Sequence, residues 1–153
     1  MTLKPTNNGW IEVICGNMFS GKTEELLRRL RRAKIAKLST IVFKPEIDKR
    51  YSDNKIVSHI DNTMKSLSVK NSLEILKKSK NYNVVGIDEA QFFDDKLIYI
   101  CKELAKNNTR VIVAGLDTDY KGKPFGPMQG IMCESDYLDK LRAICVKCGN
   151  PAS

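Results

Sequence analysis

One eight-residue stretch near the N-terminus constrains the fold more than any other part of the sequence. Residues 16–23 read Gly-Asn-Met-Phe-Ser-Gly-Lys-Thr, which fits the phosphate-binding pattern G-x-x-x-x-G-K-T. The β-branched residues of 10–15 predict a strand before the loop, and residues 24–37 carry apolar side chains at helical spacing. A glycine-rich loop between a strand and a helix predicts a nest of backbone N–H groups at a helix N-terminus, which favours bound phosphate.

The side chains of this loop fit a nucleotide and its metal ion. The Lys22 ammonium is expected to sit against the β- and γ-phosphates, and the Thr23 hydroxyl is expected to bind Mg²⁺. The phosphate-binding residues predicted from the motif are Gly16, Asn17, Met18, Phe19, Ser20, Gly21, Lys22 and Thr23.

The composition predicts one soluble cytoplasmic domain. The chain has 153 residues, 42% of them hydrophobic, which suffices for a single core. The apolar runs are too short to span a membrane, and residues 1–9 are polar and are expected to form a flexible lead without a signal peptide. Five cysteines without a secretory signal favour a reduced cytoplasm. The formal net charge of +8 favours a polyanionic ligand.

A second acidic motif follows an apolar strand farther along the chain. Residues 82–87 end in Val-Val-Gly-Ile, and Asp88 and Glu89 come directly after them. Because the carboxyl ends of parallel strands share one edge of a sheet, we expect Asp88 to reach Mg²⁺ beside the phosphate loop. Glu89 is then a candidate general base for an attacking hydroxyl. The alternative is an acidic residue that only favours a helix start near Asp94.

Alternating strands and helices predict a P-loop α/β fold with a parallel sheet flanked by helices. Further strands are expected at 40–43, 109–115 and 140–144, and helices at 72–79 and 95–106. The loop at 116–127 leaves the carboxyl end of a strand, where a second substrate would meet the phosphate site. On the loop after residue 43, Arg50 is either a phosphate contact or the partner of Asp48 in a surface ion pair.

The C-terminal residues contain a Cys-x-x-C pair. Cys145 and Cys148 precede Gly149, and this spacing is typical of half a zinc knuckle. The kinase-type domain is therefore predicted at 10–144, with an incomplete zinc-binding lobe at 145–153. Only two of the four zinc ligands are evident.

Six segments taken together resemble the type II thymidine kinases, the cytosolic and bacterial kind. They are residues 16–23, Lys-Pro-Glu-Ile-Asp-Lys-Arg-Tyr (44–51), Asp-Glu-Ala-Gln-Phe-Phe (88–93), Gly-Leu-Asp-Thr-Asp-Tyr (115–120), Lys-Pro-Phe-Gly (123–126) and Cys-Val-Lys-Cys-Gly (145–149). The resemblance implies transfer of phosphate from Mg²⁺-ATP to the 5′-hydroxyl of thymidine.

The resemblance also implies roles for residues, a metal and an assembly. Glu89 is the implied base, Thr23 and Asp88 serve Mg²⁺, and the implied ATP contacts are the 16–23 loop, Arg50, Asp88 and Gln91. The implied thymine-binding residues are Met18, Phe92, Leu116 and Phe125. The family is usually a homotetramer with a bound zinc. Its members continue past the Cys-x-x-C pair with a lid over the nucleoside, so we expect a chain ending at Ser153 to bind ATP but to phosphorylate thymidine weakly.

Two other functions stay open at this point. The acidic box after a P-loop also occurs in ATPase motors, and the basic helix Arg28–Lys37 would suit nucleic acid, although a solvated helix face explains it better and a nucleic-acid partner is not expected. A non-catalytic nucleotide-binding protein is the second alternative. DNA-stimulated ATP hydrolysis would favour the motor, and ATP binding without product would favour the second.

Overall fold

The computed structural model describes residues 9–46, 55–57 and 63–152. In these ranges the strands are β1 (Trp10–Gly16), β2 (Thr40–Pro45), β3 (Lys55–Val57), β4 (Thr63–Lys65), β5 (Leu67–Val69), β6 (Val84–Ile87), β7 (Arg110–Gly115), β8 (Tyr137–Leu141), β9 (Ala143–Ile144) and β10 (Pro151–Ala152). The helices are α1 (Lys22–Ile35), α2 (Ser72–Lys78), α3 (Lys96–Lys106) and α4 (Met128–Glu134), and a short 3-10 turn covers Ala90–Phe92.

Six strands form one sheet in the order β5-β2-β6-β7-β1-β8. The pairings within it are parallel, which confirms the predicted α/β class. The β3–β4 and β9–β10 pairs are separate antiparallel ribbons. Because the strands point the same way, the phosphate loop after β1 and the acidic pair after β6 lie at one edge, with β7 between them.

Helices cover both faces of the sheet. On one face, α1 buries Leu26, Leu27, Leu30 and Ala33, as the helical spacing of its apolar residues predicted. Gly86 in β6 permits this contact, since a Cβ there would lie 2.9 Å from Leu30 Cδ1. On the other face, α2, α3 and α4 pack over a larger cluster. In α3 the buried residues are Leu97, Ile100, Cys101 and Leu104, whereas Ile98 and Ala105 are only partly covered.

Three local features differ from the sequence-based expectations. The last sheet strand begins at Tyr137 and ends at Leu141, so the strand predicted at 140–144 is split into β8 and β9. The helix α4 was not predicted; it has seven residues, and its Gly130 lies so close to Ile98 that a Cβ would be 2.2 Å from Cδ1. Such a short helix depends on tertiary packing, which a sequence pattern does not reveal.

The third difference concerns the end of β2, which was predicted at residue 43 but lies at Pro45. The pairing of β2 with β6 ends at Phe43 and Ile87, so at Pro45 only β5 remains beside the strand. There Glu46 N donates to the Val69 carbonyl at 3.0 Å. Proline is tolerated here because no strand needs its missing N–H.

A buried carboxylate joins three elements of the fold. Glu12 in β1 is only 2% exposed and accepts from Trp10 Nε1 at 2.8 Å and from Arg29 Nη1 at 3.0 Å. Arg110 in β7 also donates to it through its guanidinium. Arg29 further pairs with Glu25 and with Asp139 of β8. Part of the basic face of α1 is therefore used in internal ion pairs.

The N-terminal end of the described chain is hydrogen-bonded to the rest of the fold. Gly9 N donates to the Ala105 carbonyl at 3.1 Å, so the chain is held to the α3–β7 turn one residue before β1. Within the described ranges, none of the helices has the length and apolar character needed to cross a membrane.

Candidate active site

The phosphate loop depends on glycine at both ends. Gly16 has a φ of 143° and Gly21 a φ of 89°, and both lie in the region that favours glycine. A Cβ on Gly16 would lie 2.2 Å from the Leu141 carbonyl oxygen, because β8 pairs with β1 up to this residue. Gly21 is the N-cap of α1, so the loop leads directly into the helix N-terminus as predicted.

Lys22 folds back over its own loop. Its Nζ donates to the Asn17 carbonyl at 2.7 Å and lies 3.5 Å from Ser20 Oγ. Burial lowers the pKa of Lys22, while the nearby Glu89 and Asp88 carboxylates oppose the shift. The loop thus carries an ammonium group pointed at the backbone that would surround a phosphate.

Thr23 and Asp88 face each other although they are far apart in sequence. The Thr23 hydroxyl lies 3.3 Å from Asp88 Oδ2. Asp88 is 7% exposed, and this burial, with Glu89 beside it, raises the pKa of Asp88 to about 7. A hydroxyl and a carboxylate that converge at a helix N-terminus are oxygen donors of the type Mg²⁺ takes, so these residues fit that ion.

Glu89 follows in an uncommon backbone conformation. Its φ and ψ are 51° and 42°, the left-handed region, which is unusual for a non-glycine residue. Its Oε2 accepts a hydrogen bond from Gln91 Nε2 at 2.7 Å. The side-chain oxygen of the same amide, Gln91 Oε1, in turn accepts from Leu116 N at 3.0 Å. Gln91 is 2% exposed, so a buried amide joins the acidic motif to the loop after β7.

This Gln91 bridge is the part of the site that sequence reasoning missed. The resemblance assigned Gln91 to ATP binding. In this structure, however, both the nitrogen and the oxygen of its side-chain amide form hydrogen bonds with protein groups. The sequence places Gln91 two residues after Glu89, but Leu116 belongs to a different strand end. The bridge exists because β6 and β7 are neighbours in the sheet, which the sequence did not specify.

Two of the four predicted nucleoside-binding residues meet directly. The rings of Phe92 and Phe125 are T-shaped, with centroids 5.5 Å apart and planes at 88°. Leu116 follows β7 and is held by Gln91, while Met18 lies on the phosphate loop and is 50% exposed. Phe92 and Phe125 therefore form an aromatic pair that begins at the residue next to Gln91, which holds Glu89.

The loop from Leu116 to Pro127 is itself well ordered by internal hydrogen bonds. Phe125 N donates to the Asp117 carbonyl at 3.1 Å. Asp119 Oδ1 accepts from Lys121 N and Lys123 N. Gly126 has a φ of 54°, and a Cβ there would lie 2.1 Å from the main-chain carbonyl oxygen of Gln91. The loop therefore packs against the residue that holds Glu89.

The Cys-x-x-C pair forms a tight turn between β9 and β10. Gly149 N donates to the Cys145 carbonyl at 2.8 Å, and Cys145 N donates to the Asn150 carbonyl at 3.0 Å. Hydrogen bonds from the backbone at Cys148 and Lys147 lower the pKa of Cys145. In the part of the chain that the structure describes, no three His, Cys, Asp or Glu residues gather at one point to hold a metal. The two thiols are half of a zinc set, so these residues alone do not fit structural zinc.

One predicted contact lies outside the described residues. Arg50 was expected to approach the transferred phosphate, and the structure does not describe residues 47–54. The role of Arg50 stays a prediction.

Comparisons with known proteins agree on one family. A family model described as thymidine kinase matches residues 9–153. A thymidine kinase of Rhodothermus sp. (strain ITI 518) is 55% identical over 145 residues, which are 95% of this chain and 68% of that protein. Thymidine kinases of Bacteroides thetaiotaomicron and Bacteroides fragilis (strain YCH46) are each 56% identical over 145 residues, with 95% of this chain and 73% of the relative covered.

A solved structure supports the fold independently. The flagellar accessory protein FlaH of Methanocaldococcus jannaschii superposes with a TM-score of 0.64 at 11% identity, covering 94% of this chain and 75% of that one. At this identity the likeness concerns the fold alone.

Proposed function

The chain belongs to the thymidine kinase family, a family of ATP-dependent nucleoside kinases, and from this membership we propose how the site transfers the γ-phosphoryl group of ATP to the 5′-hydroxyl of thymidine. The reaction centre lies at the edge of the sheet where the 16–23 loop meets Asp88 and Glu89. The observation that carries the proposal is the convergence of Thr23, Asp88 and Glu89, held by Gln91.

In this proposal the phosphate loop holds the triphosphate of ATP. Its backbone N–H groups and the N-terminus of α1 surround the phosphate oxygens. Lys22 moves its ammonium from the Asn17 carbonyl to the β- and γ-phosphates, where it offsets negative charge as the γ-phosphoryl group leaves. Burial lowers the pKa of Lys22. An anionic phosphate beside the ammonium would favour its charged form and oppose this shift.

Thr23 and Asp88 are the proposed magnesium ligands. A Mg²⁺ ion held by Thr23 and Asp88 would supply positive charge that offsets the negative charge of the phosphate oxygens. Burial of the Asp88 carboxyl group disfavours its charged form. A cation next to it would favour that charged form, which supports the assignment.

Glu89 is the proposed general base. One carboxylate oxygen takes the proton of the thymidine 5′-hydroxyl as that oxygen attacks the γ-phosphorus, and ADP is the leaving group. Gln91 donates to Glu89 Oε2, so this bond fixes the carboxylate and leaves Oε1 for the nucleoside. Such positioning is a large part of phosphoryl-transfer catalysis.

The thymine base is proposed to bind the apolar surface of Phe92, Phe125, Leu116 and Met18. An apolar slot suits the thymine methyl group but discriminates only modestly among bases that differ by one methyl. A homotetramer, a zinc completed by further ligands and a cytoplasmic location stay predictions from the resemblance.

The test is ADP production by the purified chain with Mg²⁺-ATP, with and without thymidine. We expect ADP to form with thymidine and an equal amount of thymidine 5′-phosphate to appear. ATP hydrolysis that ignores thymidine but responds to DNA would support the motor alternative instead. ATP binding without any product would support the non-catalytic alternative.

A further inference from the structure

One side chain connects the phosphate loop to the C-terminal hairpin of β9 and β10. Asn17 Nδ2 donates to the Ala152 carbonyl at 3.1 Å, and Asn17 Oδ1 accepts from Ala143 N at 3.2 Å. Ala143 and Ala152 are partners across the hairpin. Both ends of one amide therefore bind the two strands of the hairpin at the same level.

The same residue also contacts the lysine of the loop. The Asn17 main-chain carbonyl accepts from Lys22 Nζ at 2.7 Å. When Lys22 turns toward a phosphate, the Asn17 main-chain carbonyl loses its hydrogen bond from Lys22. The side chain of the same residue is hydrogen-bonded to the hairpin. A local change at the phosphate site thus has a direct path to residues 143–152.

The hairpin is short and exposes apolar side chains. Its strands are two residues each, and Ile144 and Val146 in it are 72% and 100% exposed. A two-stranded ribbon is marginally stable by itself in water. The Asn17 amide is therefore an important part of what orders the hairpin against the domain.

We infer that Asn17 is a positioning residue that couples the Cys145–Cys148 hairpin to the phosphate loop. The inference rests on the proposed function in one respect, the binding of ATP by residues 16–23. Phosphate bound by the backbone N–H groups of residues 16–23 fixes the loop around Asn17 more firmly than the Lys22 bond that it replaces. Asn17 then holds the hairpin more firmly, so the thiols become less reactive. By linkage, an ordered hairpin strengthens nucleotide binding by the same factor.

The experiment follows thiol labelling of the full chain in a Cys133→Ser background. Cys15 and Cys101 are buried, so labelling by a maleimide reports on Cys145 and Cys148. The rates are measured with and without Mg²⁺-ADP in the parent, in Asn17→Ala and in Asn17→Asp. Asn107→Ala is the matched control, because Asn107 Nδ2 also donates to a backbone carbonyl, that of Glu103, at 3.0 Å.

We expect ADP to slow labelling of the parent and of Asn107→Ala by about fivefold, which is at the low end of the usual coupling between two binding sites. Asn17→Ala is expected to label about fivefold faster than the parent without nucleotide, to lose the ADP effect, and to bind ADP about fivefold more weakly. Asn17→Asp keeps the acceptor but loses the donor, so its labelling rates should lie between those of the parent and those of Asn17→Ala.

Equal rates in the parent and Asn17→Ala, with and without ADP, would overturn the inference. The proposed function is tested separately by direct titration of the parent with ADP. If the parent bound no ADP, the proposed function would fail, and the nucleotide-free labelling rates would still decide whether Asn17 holds the hairpin.

Discussion

The backbone of Glu89 lies in the left-handed region, with φ at 51°, directly after a buried strand. A non-glycine residue there costs about 1 kcal/mol or more. The conformation turns the chain so that Glu89 can accept from Gln91 while Asp88 faces Thr23. Two adjacent carboxylates thereby face two different partners.

The Gln91 bridge gives the first prediction. Gln91→Leu keeps an apolar volume but removes the bond to Glu89 and leaves Leu116 N without its acceptor. We expect kcat to fall about 10²-fold, because the base is no longer fixed, with little change in the KM for ATP. The measurement is steady-state kinetics beside Gln129→Leu on the exposed side of α4, and an unchanged kcat for Gln91→Leu would contradict the positioning role.

The second prediction concerns the pH dependence of stability. Burial raises the pKa of Asp88 to about 7, whereas an unfolded aspartate has a pKa of about 4. Between these values the folded chain keeps a proton that the unfolded chain has released, so the Asp88 contribution to the free energy of unfolding falls as pH rises. Without divalent cations, Asp88→Asn should therefore gain in Tm relative to the parent from pH 4 to pH 8.

Magnesium should reverse this effect. Mg²⁺ is expected to raise the Tm of the parent more at pH 8 than at pH 5, since the ion binds the charged carboxylate, and to leave Asp88→Asn unchanged. Thermal melts at both pH values with EDTA or Mg²⁺ test it. A Tm difference between parent and variant that does not vary with pH would show that Asp88 is not a buried, strained carboxylate.

At the scale of elements, the loop from Leu116 to Pro127 forms one wall of the site. Gly126→Ala adds a Cβ that would lie 2.1 Å from the Gln91 carbonyl oxygen, whereas Gly122→Ala, at a similar φ of 77°, meets nothing within 4 Å. We expect Gly122→Ala to cost about 1 kcal/mol from backbone strain alone. Gly126→Ala should cost at least about 2 kcal/mol more and should reduce kcat.

Denaturant unfolding and kinetics of the two glycine variants decide this prediction. Equal losses of stability would mean that the loop moves away from Gln91 without cost. A loss of stability in Gly126→Ala with normal kcat would separate loop packing from the orientation of Glu89.

Elements with strong local patterns could be predicted from sequence, and elements made by tertiary contact could not. The helix α1 and the strands β1, β6 and β7 carry long apolar patterns that local chemistry specifies. The helix α4 depends on its packing against Ile98. The split between β8 and β9 depends on where the pairing of β8 with β1 ends, at Leu141. The residues Asp88 and Glu89 were identified from a motif, but the Gln91–Leu116 bond needed the order of the strands.

At the scale of the whole molecule, the Glu12 cluster joins β1, α1 and β7 below the site. Glu12→Ala would leave Arg29 and Arg110 without their buried partner, which costs about 3 kcal/mol, or about 6–12 °C in Tm for a chain of this size. Glu103→Ala is the control, since its partner Lys106 is 73% exposed and such pairs contribute about 0.5 kcal/mol. Thermal melts compare them, and a shift for Glu12→Ala no larger than for Glu103→Ala would contradict the role of the cluster.

The order of the strands in the sheet brings the residues of the candidate site together. Thr23 and Asp88 are 65 positions apart and meet because β1, β7 and β6 are consecutive in the sheet and point the same way. We propose that this edge of the sheet transfers a phosphoryl group and that Glu89 is its base.

A single-turnover transfer of labelled γ-phosphate from ATP to thymidine, in the parent and in Glu89→Gln, tests that claim most directly. Nucleotide affinity is measured alongside. We predict labelled thymidine 5′-phosphate from the parent, and transfer slowed by about 10²- to 10⁴-fold in Glu89→Gln with ATP binding retained. Transfer at the parent rate by Glu89→Gln, or label released as inorganic phosphate regardless of thymidine, would contradict the account.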